Sequence, residues 1–272
     1  MAGRVGVLPR RAIGATPPGS FEELVADASS APIHGWDFSW LDGRATEERP
    51  SWRYRERVVE RAAGATRMLD LECGGGELLA GLPRLPPLLV AAEGYPPNVA
   101  VAADRLRPRG GWVVAIDPGR EALPFSAGSF DLVTSRHPVT TWWAEIARVL
   151  GPGGTYFSQQ VGPHSVRELS EALLGPLPAS SDRDPRRATE AAGAVGLEVR
   201  DIRSERLRMT FDDVGAVVYF LRLVVWIVPG FSVGRFEDRL RELHDRIERD
   251  GPFVAHSSRF LMEAVKPRPR NM

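Results

Sequence analysis

Cysteine is all but missing from this chain of 272 residues: Cys73 stands alone. No disulfide can form within the chain, and the cytoplasm, where thiols stay reduced, is the expected compartment. Lysine is as scarce, with Lys266 the sole example, while arginine, alanine, glycine and proline abound, a bias expected of a high-GC bacterial genome. Charge of either sign is not in excess, since 35 Lys and Arg meet 35 Asp and Glu. A protein that grips nucleic acid through its phosphates usually carries a basic face, so a nucleic-acid partner is disfavoured. Long apolar runs are also lacking. The longest, residues 214–228, has Arg222 in its middle and is too short to span a bilayer, so no membrane partner is expected. Arg4, Arg10 and Arg11 have no apolar stretch behind them, which argues against a secretory signal. The histidines are scattered and the cysteine has no partner, so no metal site is expected.

What is present begins with Met68-Leu69-Asp70-Leu71-Glu72-Cys73-Gly74-Gly75-Gly76-Glu77. An apolar run passes through an acid into a glycine-rich turn, and a helix-like segment follows. Glycine, without a Cβ, lets backbone approach a ligand closely. A second apolar run, residues 88–92, ends in Glu93. An acid at that strand tip is placed to hold a ribose by its hydroxyls, which points to a nucleoside cofactor lying across the carboxyl ends of a parallel sheet. The dinucleotide fingerprint fails, because its third glycine falls on Leu79, and no G-x-x-x-x-G-K-[ST] phosphate loop exists.

The wider pattern agrees. Strands are expected at 66–72, 88–93, 112–116, 130–135, 154–161, 197–203 and 253–265, and helices at 51–63, 76–82, 97–105, 141–149 and 186–195, with Ser51 as a possible N-cap of the first of these. Alternation of this kind argues for an α/β fold with a parallel sheet and helices on both faces. Residues 211–228 read as an apolar helical stretch and 236–249 as an amphipathic helix, with Phe236, Leu240, Leu243 and Ile247 at helical spacing. The expected organisation is an N-terminal arm and helical extension at 1–60, a core at 61–204, a helical cap at 205–250, and a final strand and tail at 251–272.

The glycine run resembles motif I of the class I S-adenosylmethionine-dependent methyltransferases, D-x-G-x-G-x-G. The resemblance continues through Ala92-Glu93-Gly94-Tyr95-Pro96-Pro97-Asn98, Leu123-Pro124-Phe125 with Ser129-Phe130-Asp131-Leu132-Val133, and Ala147-Arg148-Val149-Leu150-Gly151-Pro152-Gly153-Gly154. It covers residues 66–160 and is similar to the methyltransferase type 11 domain. It implies a Rossmann-like seven-stranded sheet with one reversed strand, S-adenosylmethionine as cofactor, and a cofactor site drawn from Asp70, Glu72, Cys73, Gly74, Gly76, Glu93, Gly94, Tyr95, Asp117 and Arg136. Glu72 is the departure, since the family places glycine there. It either keeps ordinary backbone angles and points out of the cofactor path, or faces the methionyl ammonium, or weakens the site.

A methyl transferase mainly aligns its reactants, and a general base helps where the nucleophile is a hydroxyl. His137 and His164, each just after an expected strand end, are the candidate catalytic residues. His244 and the aromatic groups Trp36, Phe38, Trp40, Trp52, Tyr54 and Tyr219, Phe220, Trp226 are further candidates for pocket walls or for packing. The expected function is methyl transfer to a small molecule, natural products included, at oxygen or nitrogen. The rivals are a non-catalytic ligand-binding protein on the same fold and a nucleic-acid methyltransferase.

Overall fold

The structure is a computed structural model that describes residues 19–33, 35–117, 119–120, 122–178 and 182–269. Most of the expected N-terminal arm lies outside these residues. Along the chain the elements are α1 (Phe21–Ser30), β1 (Ala45–Glu47), α2 (Tyr54–Gly64), β2 (Arg67–Leu71), α3 (Glu77–Ala80), β3 (Leu88–Glu93), α4 (Pro96–Leu106), β4 (Trp112–Ala115), β5 (Phe130–Arg136), α5 (Trp143–Val149), β6 (Leu150–Val161), α6 (Arg167–Leu174), α7 (Pro185–Ala194), β7 (Glu198–Phe211), α8 (Val214–Leu223), α9 (Glu237–Asp250) and β8 (Phe253–Val265).

The strands form one sheet in the order β1-β7-β8-β6-β5-β2-β3-β4. The pairs β2–β3, β3–β4, β2–β5 and β5–β6 are parallel, and β8 runs antiparallel to β6. The order reverses at β2: β3 and β4 extend to one side, β5 and β6 to the other. Ligands in open α/β sheets bind beyond the carboxyl ends of the strands at such a switch point.

The sheet has eight strands among the described residues, not seven. The extra one, β1, pairs antiparallel with the end of β7, Ala45 opposite Phe211. Three residues carry too little alternation to announce a strand, and the pairing partner lies far away in sequence. Two further expectations are corrected. The N-cap of α2 is Arg53, in a left-handed conformation at φ 50°. Ser51 instead gives its backbone N–H and hydroxyl to the Glu205 carboxylate. The strand expected at 197–203 runs on to Phe211, so the following helix starts only at Val214, where the Asp213 side chain accepts from the Ala216 N–H at 2.8 Å.

The chain divides into two compact units, residues 1–49, 164–180 and 206–258 in one and residues 50–163, 181–205 and 259–272 in the other. In the first, α8 packs against α1 and α9, around Leu169, Phe211, Val217, Leu221, Leu240 and Ile247. Trp40 stacks on Tyr219 of α8 at 4.6 Å, and Trp36 meets Trp226, beyond the end of α8, edge-on at 5.4 Å. The second unit buries both faces of its parallel strands. Leu69, Val90, Val133 and Tyr156 point into one apolar layer, and their neighbours Met68, Leu89, Leu132 and Phe157 into the other. This is the period of two expected of a strand covered on both sides. Among the described residues no helix is long and apolar enough to cross a membrane.

Candidate functional site

The second unit holds the glycine turn at the switch point. Strand β2 ends at Leu71, and Gly74 and Gly76 turn the chain at φ 59° and 75° into α3. The two glycines serve different ends. A Cβ on Gly76 would press on Ala102 and Leu106 of α4, so this glycine lets the helices approach. A Cβ on Gly74 would meet nothing within 4 Å, so that side of the turn faces open space.

Glu93, at the tip of β3, closes the turn from the neighbouring strand and is only 7% exposed. Its Oε2 accepts from the Gly74 N–H at 2.7 Å, and its Oε1 from the N–H groups of Gly94 and Tyr95 at 2.8 Å each. An ionised carboxylate has about four acceptor positions. One is therefore left for a hydroxyl beside the open face of Gly74. The set fits a ribose-bearing cofactor: a fixed carboxylate with one acceptor position left, beside the open side of Gly74.

Asp70, buried in β2, accepts a short bond from the Thr134 hydroxyl on β5. Burial raises its carboxyl to about 7 against the pull of that bond, and the Glu93 charge adds to the rise. Glu72 is in the left-handed conformation, at φ 55°. Ordinary backbone angles were one expectation for this residue, and that expectation is corrected here. The side chain reaches across the switch point, where its carboxylate accepts from the N–H groups of Val139 at 2.5 Å and Thr140 at 3.2 Å, just beyond β5. Burial raises the Glu72 carboxyl, and the two amide bonds oppose the rise. A non-glycine residue in this conformation costs about 1–2 kcal/mol, so the clasp holds a strained backbone in place.

His137, also left-handed at φ 55°, follows β5. The Trp52 indole donates to the Gln159 Oε1 at 2.8 Å, and the Gln159 amide nitrogen lies 2.8 Å from the His137 Nε2. An indole N–H can only donate, so it orients the amide, and the imidazole Nε2 must accept. The neutral ring then carries its proton on Nδ1. Burial pushes its pKa well below the ordinary value, assisted by the nearby cations Arg259, Arg136 and Arg183. The nitrogen that a general base would use is engaged, and Nδ1–H is left as a donor.

The other candidates are placed as follows. Cys73 donates weakly to the Gly74 carbonyl, and burial pushes its thiol up, which leaves it an inert filler of the turn. Arg136 ends β5, close enough to Asp70 to favour its charged form. Gly94 and Tyr95 lend their amides to Glu93, while the Tyr95 ring is exposed. Asp117, beyond β4, caps its own loop by accepting from the Gly119 N–H at 2.9 Å. His164 belongs to the other unit, where Arg167 lies 3.2 Å from its Nδ1. His34 is outside the described residues. Thr134 and Gln159 were not singled out from the sequence; a polar side chain inside an apolar strand was the available signal for each.

A cavity of about 320 Å³ opens beyond the carboxyl ends of β5 and β6. Val139, Trp143 and Phe260 supply apolar wall, and Gln160, Arg183 and Arg187 supply polar groups. Among the described residues no group of three or more His, Cys, Asp or Glu side chains could hold a metal ion.

Known proteins can now be set beside this geometry. A demethylmenaquinone methyltransferase of Thermus thermophilus is 35% identical over 112 residues, 38% of this chain and 51% of that protein. The chain thus spans about half the length of the curated relative it matches. Among solved structures, a candidate methyltransferase of Bacillus halodurans superposes with a TM-score of 0.56 at 17% identity, covering 78% of this chain and 98% of that one. The [4+2]-cyclase SpnF superposes with a TM-score of 0.50 at 20% identity, over 91% and 93%. At these identities the likeness shows the fold. Residues 69–158, which run from β2 through most of β6 and carry the glycine turn, Glu93 and the switch point, match the family model described as a methyltransferase domain.

Proposed function

We propose that the chain transfers a methyl group from S-adenosylmethionine to a small molecule, at oxygen or nitrogen. The observation that carries this reading is Glu93, fixed by three amides at the tip of β3 beside the open face of Gly74. The bound cofactor supplies an activated methyl on a sulfonium, and this chain's residues bind, orient and exclude water. Glu93 takes a ribose hydroxyl, and the open face of Gly74 borders the sugar's path. Asp117 stands on the side of the adenine. Asp70, its carboxyl raised to about 7, and the clasped Glu72 border the methionyl end.

His137 serves as a donor through Nδ1–H, which leaves alignment and a dry pocket as the main contribution. The net charge of zero supports a small acceptor over a nucleic acid. The fold alone does not decide the chemistry, because a [4+2]-cyclase shares it. A second reading, a ligand-binding protein without transfer activity, is favoured by Glu72, which replaces a family glycine and occupies the switch point.

Calorimetric titration with S-adenosylhomocysteine tests both. Micromolar binding, together with transfer of a labelled methyl group to an acceptor, supports the enzyme. Binding without transfer across acceptor classes favours the second reading, and no binding at all removes the cofactor assignment.

A further inference from the structure

The cavity beyond β5 and β6 has a chemical character of its own. Its volume, about 320 Å³, is at the small end of ligand pockets, about 300–1,000 Å³. One part of its wall is apolar and flat, with Trp143, Val139 and Phe260. The other part carries two guanidinium groups, Arg183 before α7 and Arg187 in its first turn.

Two acids stand near these cations: the Asp182 charge partly offsets Arg183, and Asp184 shares the cavity wall. Asp184 caps α7 by accepting from the Arg186 N–H at 2.8 Å and pairs with the Arg186 guanidinium at 3.0 Å. Its negative charge goes first to Arg186, with a smaller share to Arg187. Arg259 adds a third cation close by, and with burial it lowers the guanidinium pKa of Arg183. Cations held near one another raise the local potential, and an incoming anion relieves the repulsion.

The cavity is also joined to the glycine turn. Val139 lines it, and the Val139 N–H is the 2.5 Å partner of Glu72 at the end of β2. A single side chain therefore spans from the turn that would hold the cofactor to the wall of this cavity.

We propose that this cavity is the acceptor site and that it takes a small molecule bearing a carboxylate on a flat apolar body. Arg187 and Arg183 hold the anion, and Trp143 and Phe260 hold the body. As an acceptor site the assignment rests on the methyl-transfer reading; as a binding site it stands without it.

The test uses the full chain, 2-naphthoate as probe and 2-naphthamide as its neutral isostere. Calorimetry on wild type should show 2-naphthoate binding at least about tenfold more tightly than the amide, the equivalent of one charge-assisted bond. Arg187→Gln should weaken 2-naphthoate about tenfold and leave 2-naphthamide unchanged. Arg183→Asn, which suits the left-handed backbone at that position, should do the same. Quenching of tryptophan emission by the probe, reduced in Trp143→Phe, locates it in this cavity.

Equal affinity for the two probes, no loss in either arginine variant, quenching that survives in Trp143→Phe, or no binding of 2-naphthoate at millimolar concentration would each overturn the proposal. S-adenosylhomocysteine is titrated into the same proteins. If it fails to bind while 2-naphthoate binds as expected, the methyl-transfer reading falls and the anion site stands; the opposite result overturns the anion site alone.

Discussion

Replacing Glu93 by glutamine tests the cofactor site with little change of shape. The native carboxylate holds three amides, Gly74 at 2.7 Å and Gly94 and Tyr95 at 2.8 Å. Glutamine has one oxygen, so it can keep the pair from Gly94 and Tyr95 only by turning its NH2 toward the Gly74 N–H. Donor then faces donor. One hydrogen bond to a charged group, worth about 1.5–3 kcal/mol, is lost. The two that remain pass from a charged to a neutral acceptor and weaken. The stability of the unit should fall by about 2–4 kcal/mol on those figures, read as a lower urea midpoint. The turn that would line the ribose loses its brace at Gly74, and the ribose loses a charged acceptor. S-adenosylhomocysteine should bind about ten- to a hundredfold more weakly, the equivalent of about 1.4–2.8 kcal/mol. Alanine at this position should weaken binding over the same range but leaves all three N–H groups without their partner, so glutamine is the cleaner variant. Calorimetry at a temperature where both proteins are folded separates affinity from stability. Equal affinity in wild type and Glu93→Gln would remove Glu93 from the cofactor site, and an unchanged urea midpoint would refute the bracing role.

Other consequences can be measured alongside. Glu72→Gly should change the dissociation constant for S-adenosylhomocysteine by no more than about tenfold, and should speed hydrogen exchange at the Val139 and Thr140 amides; undetectable binding in wild type with micromolar binding in the variant would instead establish the non-catalytic reading. Burial pushes the Asp70 carboxyl up to about 7 from an ordinary 3.8. A raised folded value gives stability that is fully present below about pH 4, falls as pH rises toward 7 and is lost beyond it, by at most about 4 kcal/mol. Asp70→Asn should therefore unfold at nearly the same urea midpoint across that window and exceed wild type at pH 8, and an identical pH profile for the two proteins would contradict the buried, protonated acid. Gln159→Glu should bring the His137 titration up toward neutral pH in imidazole NMR, while wild type stays neutral with its proton on Nδ1; a wild-type His137 titrating at its ordinary value would break the Trp52–Gln159–His137 argument.

The sequence by itself determined the features that depend on short stretches of chain. The run from Leu88 to Glu93 is apolar throughout and ends in an acid, and β3 occupies those residues. Helices α4, α7 and α9 lie within a residue or two of the segments that their spacing and punctuation marked. Gly74 and Gly76 take the positive φ angles that only glycine adopts freely. Periodicity, turn chemistry and motif order are local properties, written over a few to some twenty residues.

What the tertiary structure decided depends on register between distant segments. Three residues at Ala45–Glu47 become a strand only because the end of β7 is there to pair with them. The neighbours of Glu72 in sequence do not show that its carboxylate crosses to Val139 and Thr140, 67 and 68 residues further on. The short bond from Thr134 to Asp70 exists because β2 and β5 pair with these two residues side by side. His137 looked like a base at a strand end until Trp52, from another part of the chain, oriented Gln159 against it. Arg183 and Arg187 read as part of a turn and a helix start, and only the folded unit brings them to one cavity with Val139 and Trp143. A side chain's protonation and its partners are set by burial and by which groups the sheet places opposite it. Those are properties of the packed chain and have no local signature in the order of its residues.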